Sequence, residues 1–159
     1  MLIDSDTRLH LPTDSATHLE HLVRSREDLI LNGWTDRSIA AAVRAKTMVH
    51  MRRGWYIDAE ERRGLTPEEQ HRTQVIAVAR DSEGGAAMSH TSAGVLWRLP
   101  FYRIEFTRVH MTTDSPRRIS SAPDVLRHVA PLPTEDLVVI DGIRCTSLSR
   151  TVFDLCRTL

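Results

Sequence analysis

The chain has 159 residues and a mass of 18.1 kDa, with 41% apolar and 26% charged residues. This is ordinary globular usage, so a packed core is expected and wholesale disorder is excluded. Twenty-one Lys or Arg balance twenty-one Asp or Glu, which by itself argues against a nucleic-acid protein. The distribution argues the other way: residues 24–55 are net +4 (seven bases, three acids) and residues 87–128 net +3 (six bases, three acids), each flanked by net acidic stretches.

No apolar run approaches the roughly 18 residues of a membrane span. The start Met1-Leu2-Ile3-Asp4-Ser5-Asp6 has acids where a signal peptide needs bases. A cytoplasmic chain with no membrane partner is therefore expected. Twenty of the 21 bases are arginine, and the one lysine is Lys46. That excludes a phosphate-binding loop ending in Gly-Lys-Ser/Thr and the protein-kinase pattern. Arginine's planar fork suits phosphate and base edges, although a coding bias would give the same composition.

Residues 1–14 are polar and aperiodic and read as a flexible arm. Asp14 or Ser15 then caps a short helix over 16–22. Ser25 precedes Asp28 by three residues, a near capping box, before the apolar run Leu29-Ile30-Leu31. Gly33 follows at a helix C′ position, Trp34 sits in the turn, and Thr35 caps a second helix, 36–45. Helix, short glycine turn, helix is the spacing of a helix-turn-helix.

Ile39, Ala42 and Val43 should face the core, leaving Arg37, Ala41 and Arg44 as an open basic face suited to a major groove. Thr35 and the helix N-terminus could hold a phosphate, and Lys46 closes the helix. The period then changes to two. Val49 and Met51 alternate with His50 and Arg52, Arg53-Gly54 turns, and Trp55-Tyr56-Ile57 returns. This pattern predicts a winged helix over 15–58, with Arg52 and Arg53 at the wing tip.

Residues 58–66 read as a linker. Thr66-Pro67-Glu68-Glu69 starts a helix to about Arg80, ended by Asp81 to Gly85. Another helix runs from Ser89 to before Pro100. Ile104, Phe106 and Val109 suggest a strand, 112–116 a turn, and 125–128 a second strand. Leu137 to Ile140, Asp141-Gly142 and Ile143 to Cys145 form a hairpin. Ser147 or Ser149 caps a last helix, 150–157, with Val152, Phe153, Leu155 and Cys156 apolar. The expected fold class is α+β: a winged helix-turn-helix followed by a small mixed helix and antiparallel-sheet domain over 66–159.

With these residues in view, the chain resembles the AbiEi family of antitoxin-like proteins. The resemblance rests on Arg52-Arg53-Gly54-Trp55-Tyr56, on Met88-Ser89-His90-Thr91-Ser92-Ala93 leading to Leu99-Pro100, and on His128-Val129-Ala130-Pro131-Leu132-Pro133. It continues through Ile140-Asp141-Gly142-Ile143-Arg144-Cys145-Thr146-Ser147 and Ser149-Arg150-Thr151-Val152-Phe153-Asp154-Leu155. It implies a winged helix bound to double-stranded operator DNA of its own operon, acting as an autorepressor. It also implies a genetic partner, a nucleotidyltransferase-like toxin. By position, recognition would fall on Arg37, Ser38, Arg44 and Lys46, with His50, Arg52 and Arg53 in the wing. Longer relatives carry a further restriction-endonuclease-like domain.

Catalysis is not expected. Lys46 lies in Ala45-Lys46-Thr47, without the acid pattern of a restriction-type nuclease, and Gly-x-Ser-x-Gly is absent. Ser89 and His90 are adjacent, but neighbours on a helix do not face each other, so Ser89 reads as a cap. The eight histidines are dispersed and there is no Cys-x-x-Cys, so no metal and no cofactor are expected. Cys145 and Cys156 are too few for a disulfide framework and read as packed thiols. Arg98, Arg103, Arg108, Arg117, Arg118 and Arg127 form a second basic segment that could extend a DNA footprint, bind a partner or simply be solvated. Two alternatives to the repressor stand: a module binding a toxin or other protein without DNA, and a non-catalytic DNA-binding remnant of a nuclease-fused relative.

Overall fold

Hydroxyl caps and left-handed stops set the helices of the first third. The computed structural model, which describes residues 14–82, 84–115 and 122–158, begins with α1 (Asp14–Leu22) and the short strand β1 (Arg24–Ser25). The arm expected before Asp14, the capping side chain of Asp14 or Ser15, and Arg117 and Arg118 lie outside what is described. Ser25 caps α2 (Arg26–Leu31). Its Oγ accepts from the Asp28 N–H at 3.0 Å, and the Asp28 carboxylate accepts from the Ser25 N–H at 3.1 Å, completing the capping box.

At the end of α2, Gly33 (φ +89°) donates to Ile30 O and Trp34 donates to Leu29 O, with Trp34 packed on the Leu29 cluster. This is a Schellman turn with its usual apolar contact. Thr35 caps α3 (Asp36–Arg44), which ends in the same motif. There Lys46, at φ +60°, holds the place glycine usually takes.

The strands β2 (Met48–Arg52) and β3 (Trp55–Asp58) form a hairpin through Arg53 and Gly54, and β1 adds to β3 in the antiparallel order β1-β3-β2. Leu29, Ile39 and Met48 bury together, with Ala42, Val43 and Tyr56 against them; the apolar stripe of α3 is the expected one. The opposite side of the hairpin does not face solvent. Ile57 is fully buried in the larger core with Leu19, Leu22, Val75, Val78 and Met111, and Val49, Met51 and Trp55 pack against that core.

The expected linker is in fact a helix, α4 (Ala59–Arg63). Asp58 Oδ1 accepts from the Glu60 and Glu61 N–H groups at 2.8 and 3.1 Å. Acids at the helix start and Arg62 and Arg63 at its end match the helix dipole, so a charge run that reads as a linker is an ordered turn. Thr66 and Glu69 complete a capping box on α5 (Pro67–Asp81).

The second half is built on a five-stranded sheet in the order β6-β5-β4-β8-β7. Its strands are β4 (Ala87–Met88), β5 (Val109–Thr113), β6 (Val125–Val129), β7 (Leu137–Ile140) and β8 (Ile143–Thr146). The sheet is mixed, not antiparallel: β5 and β6 pair in parallel, as do β4 and β8. The strand expected over Ile104 and Phe106 starts only at Val109. Phe106 instead stacks on His71 and meets Phe101 edge-on, so aromatic packing accounts for an alternation that resembles a strand. The turn expected over 112–116 begins two residues later, because Thr112 and Thr113 belong to β5.

The β7–β8 hairpin is as expected, with Asp141 (φ +49°) and Gly142 (φ +74°) both left-handed, as a type I′ turn requires. α6 (His90–Leu96) and α7 (Leu148–Thr158) complete the fold. Ser147 is at the start of α7, its Oγ accepting from the Arg150 N–H. The buried stripe of α7 is Thr151, Asp154 and Leu155, anchored by a 2.7 Å bond between the Thr151 and Thr146 hydroxyls. Val152, Phe153 and Cys156 are exposed, so of the two thiols expected to be packed only Cys145 is buried. No helix among the described residues is long and apolar enough to cross a membrane.

Candidate functional site

α3 is fixed at both ends, and that decides which of its residues are free. Ser38 Oγ accepts from the Thr35 N–H at 2.9 Å and contacts Thr35 O at 2.9 Å as a donor, while Thr35 Oγ1 accepts from the Ser38 N–H at 3.1 Å. Both hydroxyls are thus committed to the cap. Asp36 adds a carboxylate at the helix start. Arg26 Nε and Nη2 donate to its two oxygens at 2.8 and 2.6 Å. The hydrogen bond from Arg26 holds Asp36 below the usual carboxylate range. Thr35 and Ser38 therefore position the helix, and an anion at its N-terminus would meet Asp36.

Arg37, Ala41, Arg44 and Lys46 are exposed along α3 and its end. Arg53 is exposed at the hairpin turn, and His50 is exposed beside Tyr56, ring centroids 5.2 Å apart. His50 and Arg53 share a shallow concavity of about 660 Å³ with Arg26 and Trp55. Among the described residues, Arg37, Arg44, Lys46 and Arg53 have no ion-pair partner.

Arg52 does not join them. Its side chain is 16% exposed and lies 3.0 Å from Asp81 and 3.7 Å from Asp124. The bulge between His50 and Arg52 changes the strand register there, and the guanidinium ties β2 to the end of α5 and to the approach to β6. Of the second basic segment, Arg103 is exposed over the Tyr102 ring at 5.2 Å and Arg108 is exposed. Arg127 is half-buried with its Nε unpartnered, and Arg98 and Arg108 line separate cavities.

A second cluster was not visible in the sequence. His90, His110 and His128, spread over 39 positions of chain, place one ring nitrogen each within 4.8 Å of one another. The histidines are dispersed in sequence only. His128 Nε2 lies 3.1 Å from His110 Nδ1, and the His90 and His128 rings stack with centroids 3.9 Å apart. Ser89 and His90 do touch: His90 Nδ1 is 3.0 Å from Ser89 Oγ. Ser89 is extended and stands outside the helix, with its hydroxyl turned to His90 and Thr112 and making no cap bond. Burial pushes His90 and His110 down to about 4, and lowers His128, so all three are neutral at pH 7.

The parallel register explains the meeting. His110 is opposite Leu126 and His128 opposite Thr112, so positions 110, 112, 126 and 128 share one face and the two histidines are diagonal neighbours. α6 begins on that face. A pattern signal would have needed the strand pairing first. Comparisons with protein-family models, curated proteins and solved structures return no match to this chain.

Proposed function

We propose that the protein binds duplex DNA through α3 and the β2–β3 hairpin, as a non-catalytic transcriptional regulator. The observation that carries this reading is the set Arg37, Arg44, Lys46 and Arg53: exposed, without ion-pair partners among the described residues, on elements whose opposite faces are locked in a core. The order β1, α2, α3, β2, β3 suits a winged helix, with α3 in the major groove and Arg53 on the flanking backbone. Ala41 leaves room for close approach between the two arginines. The sequence resemblance extends the reading to an AbiEi-type antitoxin that represses its own operon, with a nucleotidyltransferase-like toxin as genetic partner.

The test is binding of the purified chain to DNA upstream of its own gene, against scrambled duplex. Arg37→Ala/Arg44→Ala/Arg53→Ala should abolish specific binding while leaving the fold intact by circular dichroism. Binding equal to wild type in that variant overturns the assignment.

A second reading, a protein-binding module, is favoured by the exposed apolar residues Leu148, Val152 and Phe153 on α7 and Val139 on β7. Co-purification with the neighbouring gene product, lost in Phe153→Ser, would favour it.

A further inference from the structure

We propose that His90, His110 and His128 form a binding site for a zinc-type divalent transition-metal ion, with the fourth coordination position open to solvent. The three imidazoles come from the start of α6, from β5 and from β6, and converge on one point. Ligand nitrogens on a tetrahedral zinc lie about 3.4 Å apart, given Zn–N bonds of about 2.0–2.1 Å. The pair His110 Nδ1 and His128 Nε2 is already at 3.1 Å. The three ligand nitrogens lie within 4.8 Å of one another, so side-chain rotation alone brings them to an ion.

The surroundings are those of a supported ligand. With His90 Nδ1 facing Ser89 Oγ, Nε2 is the nitrogen left for the ion, and Ser89 is in turn held by the Thr112 hydroxyl at 2.8 Å. A ligating histidine normally has its other ring nitrogen fixed in this way. His90 also sits at φ +50°, a left-handed conformation that a non-glycine residue adopts at a cost. The donor set is three neutral nitrogens, which selects zinc, cobalt, nickel or copper over magnesium or calcium.

Asp154 lines the same cavity, about 260 Å³, with His90, His128 and Thr112. Both of its oxygens face Arg150 Nε, at 3.1 and 3.2 Å. It is therefore a neighbour of the ion, and the fourth ligand is water. Three histidines with an open position resemble catalytic more than structural zinc sites in coordination. The direct consequence here is mechanical: the ion would clip the edge strand β6 to β5 and to α6.

The experiment is a cobalt(II) titration of the full chain in chelator-treated buffer at pH 7.5, followed by displacement with zinc. One equivalent should bind, with visible bands of four-coordinate cobalt. His110→Gln and His128→Gln should each weaken binding by more than about 100-fold, and Ser89→Ala by roughly 10- to 100-fold. His50→Gln and His21→Gln should leave it unchanged. As a readout independent of variant folding, zinc added to the ¹⁵N-labelled wild-type chain should shift the imidazole nitrogens of His90, His110 and His128 and leave those of His50 alone. Absence of the cobalt bands, their survival in folded His110→Gln and His128→Gln, or zinc-dependent shifts confined to other histidines would each overturn the site.

Discussion

If α3 and the hairpin grip DNA, the salt dependence of binding can be counted from the structure before it is measured. Each phosphate neutralised by a Lys or Arg contributes about −0.9 to the slope of log Kobs against log salt. Arg37, Arg44, Lys46 and Arg53 are exposed and have no ion-pair partner among the described residues. If all four reach phosphates, the slope is about −3.6 per bound chain, and affinity falls roughly 150-fold between 50 and 200 mM salt. Arg37→Ala/Arg44→Ala should halve the slope to about −1.8, leaving a fall of only about 12-fold.

Arg52 is the control, because its guanidinium is already spent on Asp81 and Asp124. Arg52→Met should leave the slope unchanged and instead destabilise the fold by about 1 kcal/mol, since it removes one ion pair with the half-exposed Asp81 and the cation beside the less exposed Asp124. The assay is fluorescence anisotropy on a labelled upstream duplex over 50–250 mM NaCl, with urea unfolding of each variant. A full slope in the double variant, or a slope reduced by Arg52→Met as much as by Arg53→Ala, would refute the assignment of free and bound arginines.

Asp141 meets the buried Arg72 guanidinium from the tip of the β7–β8 hairpin. Asp141→Asn keeps the left-handed turn but removes the charge. It should cost about 2–3 kcal/mol in urea unfolding, at the lower end for a buried pair because Asp141 is partly exposed, and Arg72→Met should recover most of that loss; an Asn variant as stable as wild type would contradict this.

His71 is buried, bonded to Ser92 at 3.0 Å and stacked on Phe106, and burial lowers it to about 4. Its folded pKa lies below the unfolded value, so its contribution is complete above about pH 6.5 and is lost as pH falls toward 4. In metal-free buffer the stability lost between pH 7.5 and 5 should be smaller in His71→Gln by about 2 kcal/mol; equal losses would mean that the imidazole is not held neutral. Gly33→Ala should cost about 1 kcal/mol, and Lys46→Gly should gain up to about 1 kcal/mol, because both positions are left-handed. Thermal unfolding checks both, and a loss of stability in Lys46→Gly counts against the strain.

The local signals were legible because their physics is local. Ser25 with Asp28, Thr66 with Glu69, Gly33 and Asp141-Gly142 act over three or four residues, and each forms the cap or turn its spacing implies. The apolar stripe of α3 followed the same way from helical periodicity. Errors arose where local signals have two meanings. Charges over 58–66 read as a linker but fit a helix dipole, and Ile104 and Phe106 alternate like a strand, but Phe106 packs against His71 and Phe101 outside any strand. Cys156 on α7 reads as a packed thiol, but the helix buries Thr151, Asp154 and Leu155, with Thr151 bonded to the Thr146 hydroxyl, and leaves Cys156 exposed.

Sequence alone thus determined the α+β class, the caps of α2, α3 and α5, both hairpins and the exposed basic face of α3, since each depends on neighbours within a turn or two. Tertiary structure alone decided that Arg52 is spent on Asp81 and Asp124, and that His90, His110 and His128 meet. Both outcomes hinge on pairing between distant segments. The period of a strand is two, so a slip of one residue between β5 and β6 would send either His110 or His128 to the opposite face.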